Sequence, residues 1–100
     1  MGTSIAEIIV HQLGGSKFVA MTGAKGFGSF SNGLTFRLPS NFAKDGINAV
    51  RITLEANDTY TMDFMKVRGT NVKDIAQATM VYFDQLQSAF TEYTGLDTRI

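Results

Sequence analysis

The stretch Val50–Met65, VRITLEANDTYTMDFM, contains two runs in which apolar and polar residues alternate. Alternation with a period of two is typical of strands that bury one face of a sheet. Partners on the same face of an antiparallel pair have residue numbers with an even sum, so we predict a three-residue loop at 56–58. This register places Arg51 directly opposite Asp63. The inner rows of the two strands would be Val50, Ile52 and Leu54, and Tyr60, Met62 and Phe64.

Two further strands are predicted before this hairpin. Leu34–Leu38 alternates in the same way and is followed by Pro39, which lacks the N–H donor of a strand residue. Lys17–Thr22 carries apolar residues on both faces and is interpreted as a strand as well. Because the connections are short and the strands alternate, we predict a four-stranded antiparallel meander with one face covered by helix.

Helices are predicted on both sides of the sheet region in the sequence. Ser4 and Glu7 have the spacing of a capping box, which predicts a helix over Ile5–Leu13 that ends at the glycine pair 14–15. Val72–Thr94 is predicted to form a long amphipathic helix, because most of its large apolar residues fall within about 60° of one direction on a helical projection. Gly95 would end that helix.

These elements predict an α+β fold. It consists of an N-terminal helix, a four-stranded antiparallel sheet and a long C-terminal amphipathic helix packed on one sheet face, all in a single domain over residues 1–100. The apolar arc of the long helix covers about 160°, wider than the ~100° stripe of an ordinary surface helix. We therefore expect a homodimer joined through its helices, the alternative being that the two helices pack on each other within one subunit.

The composition narrows the function classes. The chain has 100 residues, no cysteine and a formal net charge of zero, which argues against a strongly basic nucleic-acid binder. Its charge is unevenly distributed, with a net +3 over residues 1–54 and −3 over residues 55–100. His11 is the only histidine and has no visible nucleophile or base partner. We expect a cytoplasmic protein with no membrane contact that is not an enzyme and has no catalytic, cofactor or metal site.

The glycine-rich stretch Gly23–Gly33, GAKGFGSFSNG, matches no phosphate-binding motif. It lacks the Lys-Ser/Thr end of a Walker loop and the third glycine of a dinucleotide loop. One interpretation is a flexible hairpin connection in which the glycines supply positive φ angles. The other is a contact loop, in which Lys25, Phe27 and Phe30 stack on unpaired bases or anchor a protein partner.

The outer face of the predicted sheet would display Lys17, Arg37 and Arg51. Such a face is commonly solvated and balanced by cross-strand ion pairs, and here Asp63 and Glu55 are close enough to supply them. Alternatively, the three cations form a shallow electrostatic platform for single-stranded nucleic acid. Both interpretations stay open at the level of the sequence.

Two resemblances bear on origin and function. The segments QLGGSKFVAMTGAKGF and LTFRLPSNFAKDGINAVRITL are similar to small, uncharacterised proteins encoded by tailed bacteriophages and related mobile elements. This resemblance implies a phage or prophage origin, and hence the cytoplasm of a bacterial host, but it implies no activity. Four strands followed by a long helix also resemble, in topology, the Whirly and coactivator-type binders of single-stranded DNA, which pair through their helices.

Two functional hypotheses follow. The first is a small phage accessory protein that binds single-stranded nucleic acid through the basic sheet face and the glycine-rich loop. Its contact residues would be Lys17, Lys25, Phe27, Phe30, Arg37 and Arg51. The second is a protein-interaction module that binds and modulates a host protein, such as a defence or replication component.

Overall fold

The computed structural model describes residues 5–39 and 43–96. Its elements, in chain order, are α1 (Ile5–Leu13), α2 (Ser16–Thr22), β1 (Lys25–Phe30), β2 (Gly33–Arg37), β3 (Ala49–Leu54), β4 (Tyr60–Arg68), β5 (Asn71–Val81) and α3 (Leu86–Thr94), with short 3-10 turns at Lys44–Gly46 and Phe83–Gln85. The strands form one antiparallel sheet in the order β1-β2-β3-β4-β5. The fold is therefore α+β, as expected, with five strands rather than four.

The central hairpin has the predicted register. Arg51 lies directly opposite Asp63, and its Nε is 3.3 Å from the carboxylate Oδ2. The Glu55 N–H donates to the Thr59 carbonyl oxygen at 2.8 Å, so residues 56–58 form the three-residue loop, and Asp58 adopts a positive φ of 64°. The inner rows face the core, where Val50, Ile52, Met62 and Phe64 are completely buried.

The prediction that Lys17–Thr22 is a strand is wrong, because Ser16–Thr22 forms helix α2. Gly23 closes this helix in the left-handed conformation, with φ 71°, and its N–H donates to the Val19 carbonyl oxygen at 2.9 Å. A short apolar run does not distinguish a buried strand from a buried helix by periodicity. The glycine after the run, which is typical of helix ends, was the local signal for a helix.

The glycine-rich stretch forms a hairpin in which most of its residues belong to strands. Its residues Lys25–Phe30 form edge strand β1, a two-residue turn follows at 31–32, and Gly33 begins β2. The register shifts by one residue between Lys25 and Gly28, and Gly26 has φ 63° at this bulge. Pairing with an already regular strand thus imposes β structure on a segment whose glycines disfavour it locally.

The predicted long helix is also wrong over most of its length. Asn71–Val81 forms β5, the longest strand, and only Leu86–Thr94 is helical. The β4–β5 ladder contains two register shifts, and Met80 has a positive φ of 56°. Because each bulge adds a residue, the apolar residues of β5 do not alternate regularly, and their spacing imitates a helix. The end of the helix is as predicted, since Gly95 has φ 74° and donates to the Thr91 carbonyl oxygen at 2.8 Å.

The helices cover one sheet face and enclose an aromatic core. Phe18 of α2 lies with its ring centroid 5.4 Å from that of Phe36 and 5.2 Å from that of Phe90. Tyr93 of α3 stacks on Phe64 at 4.9 Å. Within residues 5–39 and 43–96 there is no helix long and apolar enough to cross a membrane.

The structure lacks the two features from which the homodimer is predicted. The wide apolar arc does not exist, because residues 71–81 form a strand, and α1 buries Ala6, Ile9 and Leu13 within its own subunit. The topology that resembles Whirly-type proteins has four strands and a long helix, whereas the structure has five strands and the nine-residue helix α3. The homodimer stays a prediction. Ser4, and with it the predicted capping box, lies outside the described residues.

Candidate functional site

A groove of about 460 Å³ lies between α1 and the β1–β2 hairpin. Helix α1 packs across β1 and β2, and the side chains that it turns toward the edge of the sheet form one wall. The opposite wall and the floor come from the hairpin. The lining residues are Ala6, Glu7, Val10, His11, Gly15, Phe27, Gly28, Ser29 and Leu34.

Phe27 is the largest apolar side chain in this groove. Its ring centroid lies 5.6 Å from that of buried Phe36, yet 41% of the residue remains exposed. Strict alternation from Lys25, which faces Arg37 across the ladder, would turn Phe27 toward the outer face. The bulge at Gly26 shifts the register by one residue and directs Phe27 toward the helix side instead.

Phe30 lies on the other face of the sheet. It pairs with Gly33, and a Cβ atom at Gly33 would overlap the Phe30 ring and the Ile52 carbonyl oxygen. The ring therefore covers a backbone that has no side chain of its own. Phe27 and Phe30 do not form one stacking surface, although both are exposed and only three residues apart.

The wall of the groove is held in place by two polar contacts to α1. The Tyr60 hydroxyl donates to Gln12 Oε1 at 2.8 Å, and Gln87 Nε2 donates to the Leu13 carbonyl oxygen at 2.8 Å. Burial raises the pKa of Tyr60, the Gln12 hydrogen bond lowers it, and the negative charge of Asp58 raises it further, with a net increase. The neutral hydroxyl therefore links β4 to α1.

The groove favours binding by shape and apolar contact. Its polar side chains, Glu7, His11 and Ser29, stand beside an apolar floor. Of these side chains, Glu7 also interacts with another part of the protein and is not a free carboxylate. Among the described residues no group of three or more His, Cys, Asp or Glu side chains could hold a metal ion.

The strand beside the groove is an edge of the sheet. Because β1 pairs only with β2 in the strand order, the other side of its backbone has no strand partner among residues 5–39 and 43–96. Such an edge is a template for a further strand. Edge and groove together form a surface that could bind extended polypeptide, and we call it the β1 groove.

Of the three basic residues expected on the outer sheet face, Arg37 and Arg51 lie there and Lys17 does not. Lys17 lies on α2, exposed, and not on the sheet. Lys25 and Arg37 are opposite each other at one end of the β1–β2 ladder, and Arg37 Nε donates to the Asn48 carbonyl oxygen at 3.3 Å. Arg51 pairs with Asp63.

The carboxylate of Asp63 has a second partner. Gln77 Nε2 donates to Asp63 Oδ1 at 2.7 Å, so this acidic group is fixed between β3 and β5 in the middle of the outer face. Thr61 donates to the Glu55 carboxylate at 2.7 Å nearby. The outer face is therefore a mixed polar surface with carboxylates among its cations.

Sequence reasoning missed a second basic cluster. Lys66, Arg68 and Lys73 lie together where β4 and β5 meet at their shared turn, beside a depression of about 270 Å³. The signal was present as alternating basic and apolar residues on both sides of the turn at Gly69. It was hidden because residues 72–94 were assigned to a helix.

Large apolar side chains are also exposed at the end of β5 and in the turn after it. Met80, Tyr82 and Phe83 are each more than half exposed and occupy the end of β5 and the turn before α3. Single exposed apolar residues are ordinary, but large ones that are contiguous often mark a protein contact. These three residues are called the β5-end patch below.

Comparisons with known proteins give no family assignment. No family model, no curated protein and no solved structure matches this chain.

Proposed function

We propose that the protein is a protein-interaction module that binds an extended segment of a partner polypeptide in the β1 groove. The observation that carries this proposal is the position of a half-exposed aromatic floor, Phe27, directly beside an edge strand whose backbone lacks a partner. The proposal involves no catalytic step.

The chemistry of the groove suits an added strand. In strand addition, main-chain hydrogen bonds to the sheet edge provide affinity, and pockets for alternate side chains provide specificity. The volume of about 460 Å³ is within the range of pockets that hold small ligands, which is enough for one or two apolar side chains. Zero net charge suits a partner chosen by shape more than by charge.

The resemblance to phage-encoded proteins supports the choice of partner. If the chain comes from a phage or prophage, the bound polypeptide belongs to a bacterial host and the contact takes place in its cytoplasm. On this proposal the protein acts on its partner by occupying a surface and not by catalysis. This is the second of the two functions expected from the sequence.

Single-stranded nucleic acid is the other candidate ligand. Phe30 is 37% exposed on the outer face, which it shares with Lys25 and Arg37, so one aromatic and two cations remain available there. The pairing of Arg51 with Asp63 and the separation of Phe27 from Phe30 weaken this alternative. Titration of a labelled single-stranded oligonucleotide at two salt concentrations tests it, because phosphate binding must weaken as salt rises.

The two phenylalanines provide a matched pair of variants. Both lie on β1, both are exposed to a similar extent, and they occupy opposite faces. We expect Phe27→Ser to abolish binding of peptides selected from a random library on the wild-type protein, and Phe30→Ser to retain it. Equal loss in both variants, or no loss in Phe27→Ser, would contradict the proposal.

Hydrogen exchange provides an independent readout. If the peptide adds a strand, the outward-facing amides of β1 become protected when it binds, whereas a side-chain contact alone leaves them exchanging freely. Affinity purification from bacterial lysate, with and without nuclease, then separates the two candidate ligands. Recovery of nucleic acid alone would favour the alternative.

A further inference from the structure

The end of β4, the turn after it and the start of β5 form a two-stranded ribbon over residues 66–73. We call this ribbon the ribbon arm. The β3–β4 ladder ends at the pair Ala49 and Met65, whereas β4 and β5 stay paired from Lys66 and Lys73 to Arg68 and Asn71. A two-residue turn joins them, and its Gly69 has φ 58°, as such turns require. The arm therefore extends beyond the strand that supports the rest of β4.

One side of the ribbon arm is basic. Lys66 and Lys73 are directly opposite each other, and Arg68 lies two residues along the same strand, hence on the same side. Val67 and Val72 form the opposite side. Among residues 5–39 and 43–96, no carboxylate oxygen lies within 4 Å of the charged nitrogens of these three cations.

The neighbouring segments add to this charge. Phe64 and Lys66 share a face, so the basic side is the one on which the helices pack. The stem and ammonium of Lys66 lie against Gly46, where a Cβ atom would come within 3.3 Å of them, and Lys44 belongs to the same turn. Of the nearby carboxylates, Asp74 is across from Met65 on the other side of the ribbon, and Asp45 is exposed in the turn.

The arm is held rigidly at its base. The Asn48 side chain is buried and makes hydrogen bonds with both backbone groups of Val67, at 2.7 Å and 2.9 Å. It thereby takes the place of a paired strand at Val67, which lies beyond the end of the β3–β4 ladder. The three cations are thus presented on a fixed support rather than on a free loop.

We infer that the ribbon arm binds the phosphate backbone of duplex DNA. Like charges directly opposite each other destabilise a strand pair, and an anion between them removes this repulsion. A two-stranded ribbon has the width that the major groove of B-DNA admits. The deep, narrow major groove of double-stranded RNA does not admit it in this way.

Single strands are a poorer fit for the same surface. Proteins that bind unpaired nucleic acid combine cations with aromatic side chains on which the bases stack. Residues 66–73 include no aromatic side chain. The arm is at the β4–β5 side of the sheet, whereas the β1 groove is at the other edge, so the inference is independent of the proposed function.

Fluorescence anisotropy with a labelled DNA duplex tests the inference. Three phosphate contacts predict a slope of log K against log salt of about −2.7, so affinity should fall roughly 80-fold between ~20 mM and ~100 mM salt. In Lys66→Gln/Lys73→Gln one contact remains, and the fall should shrink to roughly fourfold. Lys17→Gln/Lys25→Gln removes the same charge elsewhere and should leave the slope near −2.7.

Three results would overturn the inference: no binding at the lower salt concentration, equal loss in both double variants, or equally tight binding of the single strand of the same sequence. Lys66→Arg/Lys73→Arg keeps the charges and should restore binding. The melting temperature of the glutamine variant should equal or exceed that of the wild type, because it removes a like-charge pair. Its failure to bind could not then result from unfolding.

Discussion

The side-chain amide of Asn48 hydrogen-bonds both backbone groups of Val67, as a neighbouring strand would. Its Nδ2 donates to the Val67 carbonyl oxygen at 2.9 Å, and its Oδ1 accepts from the Val67 N–H at 2.7 Å. The backbone of Asn48 also pairs with Leu38 and Met65. One asparagine therefore joins β2, β3 and β4 where the regular ladder ends.

Asn48→Ala should lower the free energy of unfolding by about 2 kcal/mol, because two hydrogen bonds of a buried side chain are lost. The Val67 amide should also exchange faster in the native state. The matched control is Asn32→Ala, which removes a single exposed bond of 3.4 Å to the Leu54 carbonyl oxygen and should cost less than about 0.5 kcal/mol. Chemical denaturation measures both, and equal losses would contradict this account of Asn48.

Two glycine substitutions compare how much stability is lost through a steric clash and how much through a strained positive φ. Gly33→Ala should cost more than about 2 kcal/mol, since its Cβ would overlap the Ile52 carbonyl oxygen and the Phe30 ring. Gly69→Ala meets no atom within 4 Å but must keep a φ of 58°, which costs about 1 kcal/mol. Thermal melting compares them. A Gly33 variant as stable as the wild type would mean that Phe30 does not cover that backbone.

Ionisation of Tyr60 should destabilise the fold at high pH. Burial raises the pKa of Tyr60 in the folded state above its ordinary value of 10.0. The unfolded chain then releases this proton at a lower pH than the folded one, so stability is retained below about pH 10 and falls as pH rises further.

Tyr60→Phe should remove that part of the pH dependence and cost about 1 kcal/mol at neutral pH, because the bond to Gln12 is lost. Tyr82→Phe removes a hydroxyl at an exposed position and is the control for the substitution itself. Urea unfolding at a series of pH values between neutrality and about pH 11 measures the slopes. An unchanged slope in Tyr60→Phe would assign the effect to other groups.

The homodimer prediction now depends on the β5-end patch. If two copies associate through Met80, Tyr82 and Phe83, light scattering at micromolar concentration should give twice the chain mass of 10.9 kDa. Phe83→Ser should then give the single-chain mass, because the interface loses one of its three apolar side chains. The fold should be kept, because Phe83 is largely exposed. A wild-type mass of 10.9 kDa would disprove the homodimer.

The sequence alone determined the elements whose local pattern and environment agree. In β3 and β4 the strict alternation of Val50–Met65 specified the inner faces, the loop and the pair of Arg51 with Asp63. Helix α1 and the stop at Gly95 also followed from local signals. These elements can be predicted without information from distant residues, because the spacing of apolar residues within each segment shows which of its faces is buried.

Only the tertiary structure decided β1, β5 and both candidate surfaces. Glycine-rich residues 25–30 are extended because they pair with β2, and residues 71–81 are extended because β4 offers them a ladder despite two bulges. A bulge changes which face a side chain occupies without any mark in the local periodicity. The bulge at Gly26 therefore decides that Phe27, and not Phe30, faces the helix side. Cross-strand pairing brings Lys66, Arg68 and Lys73 together, which no single segment could predict.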